Sequence, residues 1–244
     1  MRPSRRVRLG LLTPSSNTTL EPVTCAMLAG LPEVSAHFAR FRVTEIALTA
    51  GSLGQFDDSE ILRAAELLAH AKVDVIGWSG TSASWLGFDA DERLCRRIFE
   101  ATGIRACTSV LALNELLARD GVRRFALVTP YLDDVQARIV ANYAAAGFEC
   151  VAERHLGIRD NFSFATVDDA TLRRMVLEVA EARPECVAIL CTNLRGAPLA
   201  AELEDMTCIP IHDSVATVNW KALQLAGVDA ARVRGGGRLF GTAA

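Results

Sequence analysis

Residues 7–17 read VRLGLLTPSSN and residues 122–133 read VRRFALVTPYLD. Each stretch opens on Val-Arg, runs through an apolar segment and ends in Thr-Pro, at Thr13-Pro14 and Thr129-Pro130. A second pair follows each of them after a similar interval: VDVIGWSGTS at 73–82 and CVAILCTN at 186–193, two apolar runs that each open into a small polar loop. The pairing describes a chain built of two related halves, with Gly80-Thr81-Ser82 of the first corresponding to Cys191-Thr192-Asn193 of the second. One half carries a thiol where the other carries no side chain.

Outward from these stretches, apolar β-branched runs at 7–12, 73–78, 125–129, 187–190 and 209–211 alternate with segments of helical period at 58–71, 91–102, 110–119, 133–146, 169–182 and 216–226. Such alternation predicts βαβ units, and strands that are apolar throughout suit parallel sheets covered by helices on both faces. The fold class is therefore α/β: two similar Rossmann-like domains whose parallel sheets face each other across a central cleft. The expected boundaries put residues 1–113 plus 214–244 in the first domain and 114–213 in the second. Ligands of open α/β sheets sit beyond the carboxyl ends of the strands. Those ends are Thr13 to Asn17, Ser79 to Ser82, Thr129 to Asp134, Cys191 to Asn193 and His212 to Ser214. The RGGGR stretch at 234–238 lacks the strand before and helix after that a phosphate loop needs.

With 244 residues, half of them hydrophobic, the chain can bury a full core. A net charge of -3 with interspersed signs gives no basic face for nucleic acid and no polybasic segment for membrane lipid. The basic MRPSRRVR start is followed by too short an apolar run for a signal peptide, so the cytoplasm is the expected compartment. Seven cysteines without CxxC spacing and four histidines without HExxH signal neither a disulfide framework nor a metal site. No nucleotide motif follows the first strand, and no cofactor is expected. A homo-oligomer is left open.

Cys191 follows an apolar strand directly, which places its sulfur at a strand's carboxyl end, beside the amides of the next loop. Thr81, Ser82, Thr192 and Asn193 supply hydroxyl and amide groups able to hold carboxylate oxygens or an oxyanion. Ser and Thr in such loops are also common turn-formers and helix caps. Pro14, Asn17 and Tyr131, at or just after the Thr-Pro pairs, could equally be polar contacts or local braces. A serine-hydrolase reading fails because Gly77-Trp78-Ser79-Gly80 is followed by Thr81 instead of the last glycine of the nucleophile elbow.

The paired halves with a cysteine-type loop resemble the aspartate/glutamate racemase superfamily, whose racemases use one cysteine from each half as acid and base. Here Gly80 occupies the first cysteine position and Cys191-Thr192 keeps the second. SGTSASWLG (79–87), GVRRFALVTPYLDDVQAR (121–138) and GRLFG (237–241) look like the arylmalonate decarboxylases within it, whose first cysteine position is also glycine. That resemblance puts Gly80, Thr81, Ser82 and Tyr131 on an oxyanion-binding set and makes Cys191 the proton donor. TPSSNTTLEP (13–22), DNFSFA (160–165) and CTNLRGAP (191–198) are more similar to maleate cis-trans isomerases, a resemblance that implies carboxylate-holding roles for Asn17 and Asn161. The isomerase also requires a first-half cysteine nucleophile, which Gly80 cannot supply.

The expected activity is a cofactor-independent decarboxylation of a substituted malonate, through an enediolate protonated on one face by Cys191. Isomerisation of a dicarboxylate is the alternative, and non-catalytic binding of a carboxylate a second one. Arg159 and Asn161 predict a pocket more polar than an arylmalonate would favour. Gly80→Cys is expected to restore the second thiol and with it racemisation.

Overall fold

The computed structural model describes residues 6–49 and 58–241. Eight strands form two separate four-stranded sheets. In the first, β1 (Val7–Pro14), β2 (Val34–Phe41), β3 (Val75–Trp78) and β4 (Ala106–Thr108) take the order β2-β1-β3-β4. In the second, β5 (Arg124–Thr129), β6 (Glu149–His155), β7 (Cys186–Ile189) and β8 (Ile211–Asp213) repeat that order as β6-β5-β7-β8. Every neighbouring pair is parallel. The two Thr-Pro stretches are the equivalent central strands β1 and β5, so the internal repeat in the sequence is a repeat of topology.

Helices cover the sheets: α1 (Leu20–Leu28), α2 (Asp58–His70), α3 (Ala83–Leu86), α4 (Phe88–Thr102), α5 (Ser109–Arg119), α6 (Asp133–Ala145), α7 (Asp169–Ala180), α8 (Ala200–Thr207) and α9 (Ser214–Leu225). The last of these leaves β8 and packs on α5, β3 and β4 of the first sheet. The central strands β1, β3, β5 and β7 are buried on both faces and were the ones visible as apolar runs. Edge strands β2 (VSAHFARF) and β6 (ECVAERH) are largely half-exposed and mix polar with apolar residues, which hides them from a search for apolar runs. Helix α1 escaped notice because Pro22 sits in its sequence; in the first turn a missing N–H removes no helical hydrogen bond. The run expected as a strand at 209–211 is displaced to Ile211–Asp213, because Pro210 has no N–H for the ladder and contributes only its carbonyl, to Val187.

Two cores result. One lies behind the first sheet, around Leu9, Leu20, Leu116, Val218 and Leu223. The other runs from the first sheet through the cleft into the second, taking in Trp78, Trp85, Phe125, Tyr131, Tyr143 and Phe164. That continuous apolar contact fixes the halves against each other, at about 25 cal/mol per Å² of apolar surface removed from water. Among the described residues no helix is long and apolar enough to cross a membrane.

Candidate active site

The carboxyl ends of both sheets converge on a cavity of about 20 Å³ lined by Pro14, Val43, Ile46, Trp78, Gly80, Thr81, Ser82, Trp85, Tyr131, Asn161, Cys191 and Thr192. That is about the space of one water molecule, far below the ~300–1,000 Å³ of small-molecule sites, so the walls must part for a substrate to enter. Its walls come from the loops after β1, β2, β3, β5, β6 and β7. Eight of the ten site residues expected from the sequence line it; Asn17 and Asn193 stand behind it.

Each wall residue is held by its neighbours. Thr81 and Tyr131, one from each half, meet across the cleft with their hydroxyl oxygens 2.6 Å apart. The Tyr131 ring is wedged between Trp85 (centroids 5.2 Å apart) and Phe164 (5.7 Å), both edge-on. Burial pushes the Tyr131 phenol well above its usual range, so the group is a neutral hydroxyl that can donate. Ser82 precedes α3, and its hydroxyl makes no capping hydrogen bond to that helix. Thr192 donates to the Ser79 carbonyl at 3.2 Å and accepts from Asn17 Nδ2 at 3.1 Å, so its side chain already has partners.

Asn17 and Asn193 are braces. Asn17 Oδ1 accepts from the backbone N–H of Thr19 at 3.0 Å and of Leu20 at 2.9 Å, fixing the start of α1, while its Nδ2 reaches Thr192 in the other half. Asn193 Oδ1 accepts from the N–H of Thr18 and Thr19, and its Nδ2 donates to the Asn161 carbonyl at 2.6 Å. Both asparagines are almost wholly buried with donors and acceptors engaged. Their amides therefore tie the two halves together across the cleft. Asn161 does reach the cavity, with Nδ2 on Ser16 Oγ at 2.8 Å.

A second clasp lies beside the cavity. The segment after β2 pairs with the segment after β6 through an antiparallel bridge between Glu45 and Asp160. The Ile46 N–H donates to the Arg159 carbonyl and the Asn161 N–H to the Thr44 carbonyl, both at 3.0 Å. This pairing presses Val43 and Ile46 onto the cavity. It also corrects the expectation of a polar pocket: Arg159 is exposed and contributes only backbone to the clasp, and Pro14, Val43, Ile46, Trp78 and Trp85 make one side of the cavity apolar.

Cys191 is 3 % exposed, and its sulfur accepts the Asn193 N–H at 3.4 Å. Burial pushes the thiol up to about 12, against the opposing pull of that N–H and of the Tyr131 hydroxyl. It is a protonated thiol at neutral pH, able to give a proton and unsuited to attack as a thiolate. Opposite it, the space a side chain at position 80 would need is filled: a Cβ on Gly80 would overlap the indole of Trp78 at Cζ2, Cε2 and Cη2. This contact had no signal in the sequence, because it depends on how the Trp78 ring turns at the end of β3. Behind Cys191, Asp213 ends β8 fully buried, with Oδ1 accepting from the N–H of Val215 and Ala216 at the start of α9. Asp213 is thus in use as the cap of α9.

A family model described as arylmalonate decarboxylase matches residues 9–240. The arylmalonate decarboxylase of Bordetella bronchiseptica is 36% identical over 169 residues, covering 68% of this chain and 70% of that protein. A maleate isomerase of Pseudomonas putida is 30% identical over 231 residues, 89% of this chain and 90% of its own length. Among solved structures, a maleate isomerase variant from Pseudomonas putida S16 with maleate is similar at a TM-score of 0.87 and 26% identity, covering 98% of this chain and 99% of that one. A glycine-to-cysteine, cysteine-to-serine double variant of arylmalonate decarboxylase in its liganded form gives 0.84 at 26% identity, covering 97% and 99%. Since the match runs through both sheets and every loop that meets at the cavity, the chain belongs to the arylmalonate decarboxylase family, whose relatives include decarboxylases and isomerases.

Proposed function

We propose that the protein is a cofactor-independent decarboxylase of a substituted malonate. The observation that carries this reading is the single thiol: Cys191 stands on one side of the cavity, and on the other Gly80 and the Trp78 ring leave no room for a second. Racemisation needs a base on each face of the reacting carbon, and addition to a maleate double bond needs a first-half nucleophile. Decarboxylation followed by protonation needs one acid only.

In the proposed cycle one carboxylate of the malonate is held by the Thr81, Ser82 and Tyr131 hydroxyls. The other lies against the apolar side of the cavity, where a charge is poorly solvated. The bond from this second carboxylate to the central carbon breaks, carbon dioxide leaves, and its electron pair becomes the enediolate of the first. Donors already in place stabilise that charge without rearranging, each typically worth about 3–4 kcal/mol when removed from an oxyanion site. The Cys191 thiol then transfers its proton to the central carbon on the face it occupies, and the thiolate recovers a proton from water. On a malonate with two different substituents, one donor on one face yields one enantiomer.

Proton NMR in heavy water, with methylmalonate, phenylmalonate and maleate in separate samples, tests the reading. Deuterated monoacid from a malonate, absent with Cys191→Ser, is the expected result. Fumarate formed from maleate, with no malonate consumed, would instead place the protein among the isomerases.

A further inference from the structure

We propose that Trp78 sets the substrate class: its indole occupies the space of the absent first thiol and restricts the enzyme to malonates bearing a small substituent. The proposal rests on the decarboxylase reading for its substrates, but its geometry stands apart from it. Trp78 is the last residue of β3, 1 % exposed, and lines the cavity beside Gly80, Thr81 and Cys191. Phe41, at the end of the edge strand β2, backs its ring at a centroid distance of 5.1 Å, so the indole cannot swing toward that strand. Ahead of it lies position 80, where any Cβ would meet three ring carbons well inside 3.0 Å. The ring thus makes glycine obligatory at position 80.

The two residues therefore form a coupled pair. A chain with cysteine at position 80 needs a smaller residue at position 78, and a chain with tryptophan at 78 must forgo the thiol. The expectation that Gly80→Cys alone restores racemisation is replaced by a requirement for the pair Trp78→Leu with Gly80→Cys. The same ring lines a cavity of only about 20 Å³, leaving an aryl group on the central carbon in competition with the indole.

Two experiments separate the geometry from the chemistry. The first is a thermal-unfolding cycle of Gly80→Ala, Trp78→Leu and their combination. Gly80→Ala is expected to lower Tm by several degrees in the parent and by far less in the Trp78→Leu background; equal losses in both would overturn the coupling whatever the reaction is. The second compares propionate with phenylacetate binding by titration calorimetry, and methylmalonate with phenylmalonate turnover, in parent, Trp78→Phe and Trp78→Leu. The phenyl-to-methyl ratio in binding should rise at least ~10-fold in Trp78→Leu, with the turnover ratio following it, as expected when a pocket gains room for a group it excluded. An unchanged ratio, or a parent that already prefers the phenyl compounds, would overturn the size restriction even if malonates are decarboxylated. A shifted binding ratio with no turnover of any malonate would uphold Trp78 and remove the decarboxylase reading.

Discussion

The Tyr131 hydroxyl and Thr81 Oγ1 stand 2.6 Å apart although one belongs to each half of the molecule, so the proposed oxyanion site exists only where the halves meet. The Tyr131 ring is held there by edge-on packing against Trp85 and Phe164. Tyr131→Phe keeps the ring packing and removes one donor. It should lower kcat on the preferred malonate by about 10²–10³-fold, with a smaller change in KM and an unchanged Tm. A loss confined to KM would mean that the hydroxyl binds the substrate and not the enediolate.

The Cys191 thiol, held up at about 12 by burial, should resist alkylation. Iodoacetamide at about pH 8, followed by peptide mapping, is expected to label the exposed Cys25 and Cys208 at least ~10-fold faster than Cys191. By the same argument no alkaline limb below about pH 10 arises from this thiol in the pH profile of turnover. Preferential labelling of Cys191 would show a thiolate at neutral pH and take away its role as proton donor.

Much of this site could be read from the chain before its coordinates. Central strands are buried on both faces and leave apolar runs, so β1, β3, β5 and β7 and the loops after them stood out, and with them Thr81, Ser82, Tyr131 and Cys191. What could not be read depends on three-dimensional direction. Asn17 and Asn193 have the right chemistry for a carboxylate and sit in the right loops, but their amides are turned to protein partners: Asn17 to the N–H groups that start α1 and to the Thr192 hydroxyl, Asn193 to the N–H groups of Thr18 and Thr19 and to the Asn161 carbonyl. Arg159 adjoins the cavity segment and points outward. The Trp78 ring over Gly80 is a rotamer, which no motif encodes.

The neighbours His212 and Asp213 give opposed pH dependences of stability. Burial lowers His212 from 6.5 to about 4, so its contribution is complete above about 6.5 and is lost as pH falls toward 4. Burial raises Asp213 from 3.8 to about 7, despite the N–H groups it accepts, so its contribution is complete below about 4 and is lost as pH rises toward 7. Asp213→Asn retains an oxygen for the Val215 and Ala216 amides and cannot ionise. Relative to the parent, its unfolding free energy should therefore rise between about pH 4 and 7.5, by up to roughly 4 kcal/mol. Urea titrations at several pH values would measure this difference, and a pH-independent difference would mean that Asp213 is ionised throughout.

Asn193 joins residues of both halves through its amide, and its removal tests whether the halves are held by directed polar contacts as well as by the shared apolar core. Asn193→Ala leaves the N–H of Thr18 and the carbonyl of Asn161 without the amide that now pairs them, while the Thr19 N–H keeps Asn17 Oδ1. Buried polar groups stripped of partners cost about 1–3 kcal/mol each. Water entering the space offsets part of that, so a net loss on the order of 3 kcal/mol is expected, or roughly 10 °C in Tm at ~2–4 °C per kcal/mol. Because Asn161 and the Cys191 loop would loosen together, kcat should fall in the same variant while the individual sheets stay folded. An Asn193→Ala protein with parental Tm would show that apolar packing through Trp85, Tyr131 and Phe164 alone closes the cleft.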